Sequence, residues 1–204
     1  MASSAVSKQS YLHNLAILTT LALFCVSKTC LAENSEPHHQ VESGDDFIKT
    51  SCGVTRYPEL CYKKLSAYAD AIEDNPTRLA NVTLSETLKN TESTLTMVQK
   101  LLEKRKLRPR EAGAIRDCVE TMNDSVDELQ KSMLAMSDLE GPDFDMEMIN
   151  IRTWVSAALT DEDTCMDGFE ENSMDAKVKD TIRSYIVTVA QLTSITLAFI
   201  NNLH

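Results

Sequence analysis

Histidine is nearly missing. The 204 residues hold four, and none falls between residues 40 and 203. No Ser-His-Asp or Cys-His constellation can be built from that stretch, and neither can the Glu-x-x-His pairs that hold di-iron centres inside helical bundles. Glycine is scarce at five residues, and no glycine-rich phosphate loop is present. Cysteine never occurs in Cys-x-x-Cys spacing, which argues against a thiol-redox pair and a zinc knuckle. A second long apolar run is also missing: after residue 32 no stretch reads as apolar enough to span a membrane. These absences leave a protein that acts by binding, with no cofactor and no metal expected.

The first 32 residues indicate the compartment. Lys8 and His13 precede "LAILTTLALFCV", Leu15 to Val26, and "TCLA" follows with small Ala32 at the cleavage position. This is the pattern of a secretory signal peptide. The run is twelve residues, whereas a spanning helix needs about twenty. Without residues 1–32 the chain carries 18 Lys and Arg against 31 Asp and Glu, a formal charge of −13. Such a surface argues against nucleic acid and suits a basic or neutral partner. Four cysteines remain, Cys52, Cys61, Cys118 and Cys165, and in a secreted chain an even count points to two disulfides.

Residues 33–45, "ENSEPHHQVESGD", form a polar tail in which His38 and His39 are solvated side chains rather than a metal site. The remainder is helical in pattern. Pro76, Pro109 and Gly141-Pro142-Asp143 act as breaks. Between them lie four long segments, about 77–107, 110–139, 144–172 and 175–203. In the second, Ile115, Val119, Met122, Val126, Leu129, Met133 and Met136 recur in steps of four and three, so its methionines are core residues rather than copper ligands. The third gives Met148, Ile151, Val155, Ala158, Cys165 and Phe169, with Glu162 as the one break. The fourth gives Val178, Ile182, Tyr185, Val189, Leu192, Thr196, Phe199 and Leu203. The first is looser: Leu84, Leu88, Leu95, Val98 and Leu102, with Thr91 filling a gap. Each stripe covers one helix face. The expected fold is all-α: an up-down-up-down antiparallel four-helix bundle over 76–204.

Antiparallel helices joined by a short turn bring equidistant positions side by side. Cys118 lies 22 residues before Glu140 and Cys165 lies 21 after Phe144, so the two should face each other. Cys52 and Cys61 then staple a short helical hairpin over 46–73, with Gly53 and Pro58 allowing the bend. Paired carboxylates occur at Asp45-Asp46 and at Asp161-Glu162-Asp163. Glycosidases set such pairs across a cleft, and a convex bundle offers none, so these acids read as solvated. The charged run Glu103–Lys106 reads as a solvated helix end. Asn81-Val-Thr83 and Asn123-Asp-Ser125 are glycosylation sequons.

Taken together, the signal peptide, the two sequential cysteine pairs, and the strings "SCGVTRYPELCYKKL" and "WVSAALTDEDTCMDGF" resemble the plant invertase and pectin methylesterase inhibitor family over residues 46–204. The resemblance implies a secreted, non-enzymatic inhibitor of the cell wall (the apoplast). The same domain also precedes pectin methylesterases as a pro-region; since the chain stops at His204, the free inhibitor form is implied. In the invertase-inhibiting branch a Pro-Lys-Phe motif opens the third bundle helix. Here Pro142-Asp143-Phe144 stands there, and the reversed charge weakens the invertase alternative. Ser156-Ala157-Ala158-Leu159 and Thr164-Cys165-Met166-Asp167 are similar to the methylesterase-inhibiting branch. What that branch implies is target contact through Thr164 and Asp167, and a one-to-one, non-covalent complex with pectin methylesterase that closes its substrate cleft. A secreted helical signalling or apolar-ligand-carrying bundle is the alternative from another class, to be told apart by an internal cavity.

Overall fold

The computed structural model describes residues 44–103, 107–139, 142–169 and 175–203. Residues 1–43, which hold the expected signal peptide and most of the expected tail, and most of the run Glu103–Lys106 lie outside the described residues. Among the described residues the only regular elements are helices.

A hairpin comes first, made of α1 (Gly44–Gly53) and α2 (Pro58–Leu65), followed by a 3-10 turn at Ser66–Tyr68 and the single turn α3 (Ala69–Ile72). The helix α1 takes in Gly44 and Asp45, which composition alone assigns to the tail. A Cβ on Gly44 would lie 2.3 Å from the Ala69 carbonyl oxygen, so only glycine lets α1 approach α3 so closely. Between α1 and α2 the chain turns at Thr55, whose amide and hydroxyl both donate to the Cys52 carbonyl. Pro58 opens α2 at a position where its missing N–H costs nothing. A disulfide joins Cys52 to Cys61 across the turn, with Cα atoms 5.5 Å apart.

Four long helices follow: α4 (Pro76–Leu102), α5 (Pro109–Ser137), α6 (Phe144–Asp167) and α7 (Ala176–Asn201). Each is about 36–44 Å long. Their C-terminal ends fall a few residues short of the sequence segments, and local chemistry marks several of the boundaries. Asn75 caps α4 by accepting from the Arg78 amide at 2.9 Å, ahead of Pro76. Asp175 caps α7 through the Lys177 and Val178 amides. Gly168 follows the last residue of α6. Helix α4 packs on α5 and α7, α5 on α6, and α6 on α7, which closes an antiparallel ring of four. A second disulfide ties α5 to α6 through Cys118 and Cys165, with Cα atoms 4.3 Å apart.

The core divides into two apolar clusters. One gathers Ile48, Cys52, Cys61, Leu65 and Ile72 of the hairpin region with Leu84, Leu129, Ile151, Val155, Leu192 and Phe199 of the bundle. The other holds Leu95, Val98, Ile115, Cys118, Met122, Cys165, Phe169, Ile182 and Ile186. Buried polar side chains lie between them: Thr87, Thr91, Ser125, Glu162 and Thr193.

Most stripe positions are buried, with Leu88, Leu102, Val119, Met133 and Val178 half-buried. Three corrections are needed. On α7 the inward residue is Ile186, while Tyr185 is 47% exposed. Steps of three and four from Ile182 reach both, and the phenol is the one that water can satisfy. On α4 four of the ten buried residues are threonines, Thr83, Thr87, Thr91 and Thr94. Three of these hydroxyls donate to the carbonyl four residues back (Thr83 to Leu79, Thr87 to Thr83, Thr91 to Thr87), so the methyl groups pack as apolar surface. A third correction concerns hydropathy. Helix Ala176–Asn201 is long and apolar enough by composition to cross a membrane. Its apolar residues Ile182, Ile186, Val189, Leu192 and Ile195 are instead buried in the bundle core.

Candidate functional site

Helix α6 lies between α5 and α7, and its inward stripe is Met148, Ile151, Val155, Ala158, Glu162 and Cys165. The complementary stripe faces water: Met146, Ile149, Thr153, Ser156, Thr160, Asp163, Thr164 and Asp167 are all exposed. Steps of three and four align them on one side. Three threonine hydroxyls in this stripe donate to the carbonyl one turn back: Thr153 to Ile149 at 2.8 Å, Thr160 to Ser156 at 3.0 Å, and Thr164 to Thr160 at 2.7 Å. That bond fixes the side-chain rotamer and turns the methyl group outward. Thr153, Ser156, Thr160 and Thr164 therefore form a lane about 17 Å long of small, uncharged side chains. Charge returns at its end with Asp163 and Asp167.

The lane has unlike borders. On the α5 side lie Asp124, Glu128 and Asp161. Burial, and then the negative charges of Asp124 and Glu128, push the Asp161 carboxyl above its ordinary pKa. Toward α7 a hollow of about 320 Å³ is walled by Leu159, Asp163, Met166 and Gln191, with Arg56 and Tyr57 of the hairpin turn at its edge. At the other end of α6, Pro142 and Asp143 are exposed and Phe144 is half-buried. Phe144 lines a groove of about 580 Å³ with Trp154, Ala135 and the largely exposed Leu134, rimmed by Lys131, Asp138, Asp143 and Glu147.

Thr164 and Asp167 thus lie one turn apart on the lane, both exposed. Next to Thr164, Cys165 is fixed to α5 by its disulfide to Cys118. The Cys52–Cys61 bridge belongs to the other apolar cluster, with the hairpin. Asn81 is exposed on α4 and Asn123 on α5, where Asn123 Nδ2 donates to the Val119 carbonyl at 2.6 Å. Residue-by-residue resemblance misses Met146, Ile149, Thr153 and Thr160. The complement of the inward stripe is the signal that finds them.

The acids at 161–163 need a correction. Asp163 is exposed, but Glu162 is wholly buried. Its Oε1 accepts from Ser125 Oγ on α5 and from Thr193 Oγ1 on α7, each at 2.9 Å. Burial pushes its pKa from 4.5 up to about 8, against the two hydroxyl bonds, so the carboxyl is neutral in acid and at neutral pH. Three successive residues point in three directions around a helix, and only the middle one falls in the core register. Among the described residues no group of three or more His, Cys, Asp or Glu could hold a metal ion.

Comparison with known proteins gives a consistent picture. The family model for plant invertase/pectin methylesterase inhibitors matches residues 46–199. A "21 kDa protein" of Daucus carota is 45% identical over 161 residues, covering 78% of this chain and 83% of its own. Pectinesterase inhibitor 9 of Arabidopsis thaliana is 43% identical over 189 residues, covering 90% and 92%. The crystal structure of a mutant form of a pectin methylesterase inhibitor from Arabidopsis superposes with a TM-score of 0.61 at 25% identity, over 77% of this chain and 97% of that one.

Proposed function

Because the chain belongs to the plant invertase/pectin methylesterase inhibitor family, we propose that it inhibits a pectin methylesterase by binding it, one to one and without covalent chemistry. It is an inhibitor and not an enzyme. The α6 lane lies against the esterase and closes its substrate cleft to pectin, leaving more methyl ester in the wall. Thr164 stands within the contact, with Asp167 at its edge.

The observation that carries this is the lane itself. Small side chains let a partner surface come close, and the hydroxyl bonds and the neighbouring disulfide order them beforehand, which lowers the entropy lost on binding. Replacing Thr164 with Trp should leave folding within about 0.5 kcal/mol, since the site is exposed. The same bulk at the centre of an interface should cost roughly 2 kcal/mol of binding, about thirtyfold in the inhibition constant. Asp138→Trp, at the far end of the bundle, is the control. Constants measured for both variants against a pectin methylesterase, with an acid invertase in parallel, test the assignment. A folded Thr164→Trp that inhibits like the parent places the contact elsewhere. Invertase inhibition at lower concentration than esterase inhibition moves the target to the other branch.

We also propose that residues 1–32 direct secretion and are removed, that the tail stops ahead of α1 at Gly44, that α1 and the helices after it form the inhibitor domain, and that Asn81 and Asn123 can carry glycans in the extracellular wall. Intact mass of the secreted protein checks this. An N-terminus far from Glu33 would overturn the cleavage site.

A further inference from the structure

Glu162 stands directly behind the lane. It lies two residues from both Thr160 and Thr164, on the opposite side of α6. Its Oε1 holds two hydroxyls, Ser125 from α5 and Thr193 from α7, so a single side chain ties α6 to both of its neighbours. Oε2 is buried and meets no hydrogen-bond partner among the described residues. Among the described residues no cation is found acting on the group. The inward residues of α4 around it are Thr83, Thr87, Thr91, Thr94, Leu84, Leu95 and Val98, none of which titrates. On α5 the inward residues are apolar, cysteine or serine, save Glu111, about 21 Å along the helix and bound to Arg108. On α7 they are apolar or threonine. The carboxylates that act on Glu162 are Asp161 and Asp163 of its own helix, and both oppose its ionisation.

We propose that Glu162 is the positioning residue of the α6 face, a proton-held clamp that fixes α6 between α5 and α7 while its carboxyl is neutral and loosens it when the proton leaves. A neutral acid can stay in this layer at the cost of one unpaired oxygen. An unpaired carboxylate there is far costlier, because nothing positive compensates it. The positioning role rests on the α6 face proposed for esterase contact, whereas the clamp itself rests only on the core.

The sign follows from proton counting. Between about 4.5, where an unfolded glutamate loses its proton, and about 8, the folded chain keeps a proton that the unfolded chain has released. Stability is then fully present below the lower value. It falls as pH rises, by about tenfold in the folded-to-unfolded ratio per pH unit.

The test is denaturant unfolding of the disulfide-intact chain from pH 5 to 8, for the parent and for Glu162→Gln, which keeps the shape and never ionises. The parent's ratio should fall relative to that of Glu162→Gln by about a hundredfold between pH 5 and 7. Amide exchange at residues 160–165 should quicken with pH more in the parent than in Glu162→Gln, a pairing in which the intrinsic pH effect cancels. Parallel stability profiles overturn the proposal. If Glu162→Gln does not fold, the parent decides alone: a Glu162 side-chain carboxyl resonance still protonated at pH 6 supports the clamp, and one already ionised there overturns it. None of these measurements involves an esterase. Failure here leaves the α6 face standing, and failure of Thr164→Trp leaves the clamp standing.

Discussion

The two halves of the bundle are held by different means. In the half next to the hairpin, the bundle helices share one apolar cluster with Ile48, Leu65 and Ile72 from the hairpin region, and its disulfide closes a short turn in the hairpin. In the half on the other side of the Glu162 layer the cluster is drawn from the bundle helices and Phe169 just past α6, with none of the hairpin, and the Cys118–Cys165 bridge lies inside it. Its far end is tied by a buried acid: Glu111 accepts from the Arg108 amide and guanidinium and from the Asp175 amide, which joins the starts of α5 and α7. Arg108 and that amide hold the Glu111 carboxyl down at about 2, so the tie persists through ordinary acid conditions. The lesson is that added helices stabilise one end by apolar burial, while the end carrying Thr164 depends on a covalent staple and a few specific polar bonds.

The strongest way to break this comparison is to remove the bridges. Replacing Cys118 and Cys165 with alanine opens a sequence separation of 47 and should cost about 4 kcal/mol. Replacing Cys52 and Cys61 opens a separation of 9 and should cost about 2.7 kcal/mol. Unfolding midpoints of the two double variants measure the difference. The first should also speed amide exchange around Thr164 more than in the hairpin. If the hairpin pair proves the costlier, the covalent staple is not what distinguishes the halves.

How far the sequence shows this division depends on the residue. Strict steps of three and four make α5 legible, and equal distances from one short turn are what bring Cys118 and Cys165 within 4.3 Å at Cα. Legibility fails wherever polarity and burial part company. Thr83 and Thr87 are invisible to an apolar count because their hydroxyls are satisfied within the helix. Glu162 looks like a gap in a stripe, since only Ser125 and Thr193, 37 and 31 residues away, make its burial tolerable. On α6 the strings at Ser156 and Thr164 mark parts of the lane, but Met146, Ile149, Thr153 and Thr160 are legible only as a remainder, and the lane's rigidity comes from backbone bonds that residue types do not announce.

The smallest expected effect sharpens the comparison from the hairpin side. Tyr68, at the end of the 3-10 turn, donates its hydroxyl to Glu86 on α4, and Lys64 donates to Asn90 on the same helix at 2.7 Å. Burial works to raise the Glu86 pKa, but the bonds from Tyr68 and Lys89 outweigh it and leave the carboxyl below its ordinary value. Tyr68→Phe keeps the ring and removes only the donor, so the loss should be about 1 kcal/mol. Because the folded carboxyl is depressed, that contribution is present above the unfolded value of 4.5 and fades as pH falls below it. The variant should therefore differ from the parent at pH 6 and converge with it in acid. Unfolding midpoints at pH 6 and pH 3 measure both points. A loss as large as that from deleting Cys52–Cys61 would mean that the hairpin is held to α4 by its polar anchors. The apolar cluster would then no longer explain why this half of the bundle does without an interior staple.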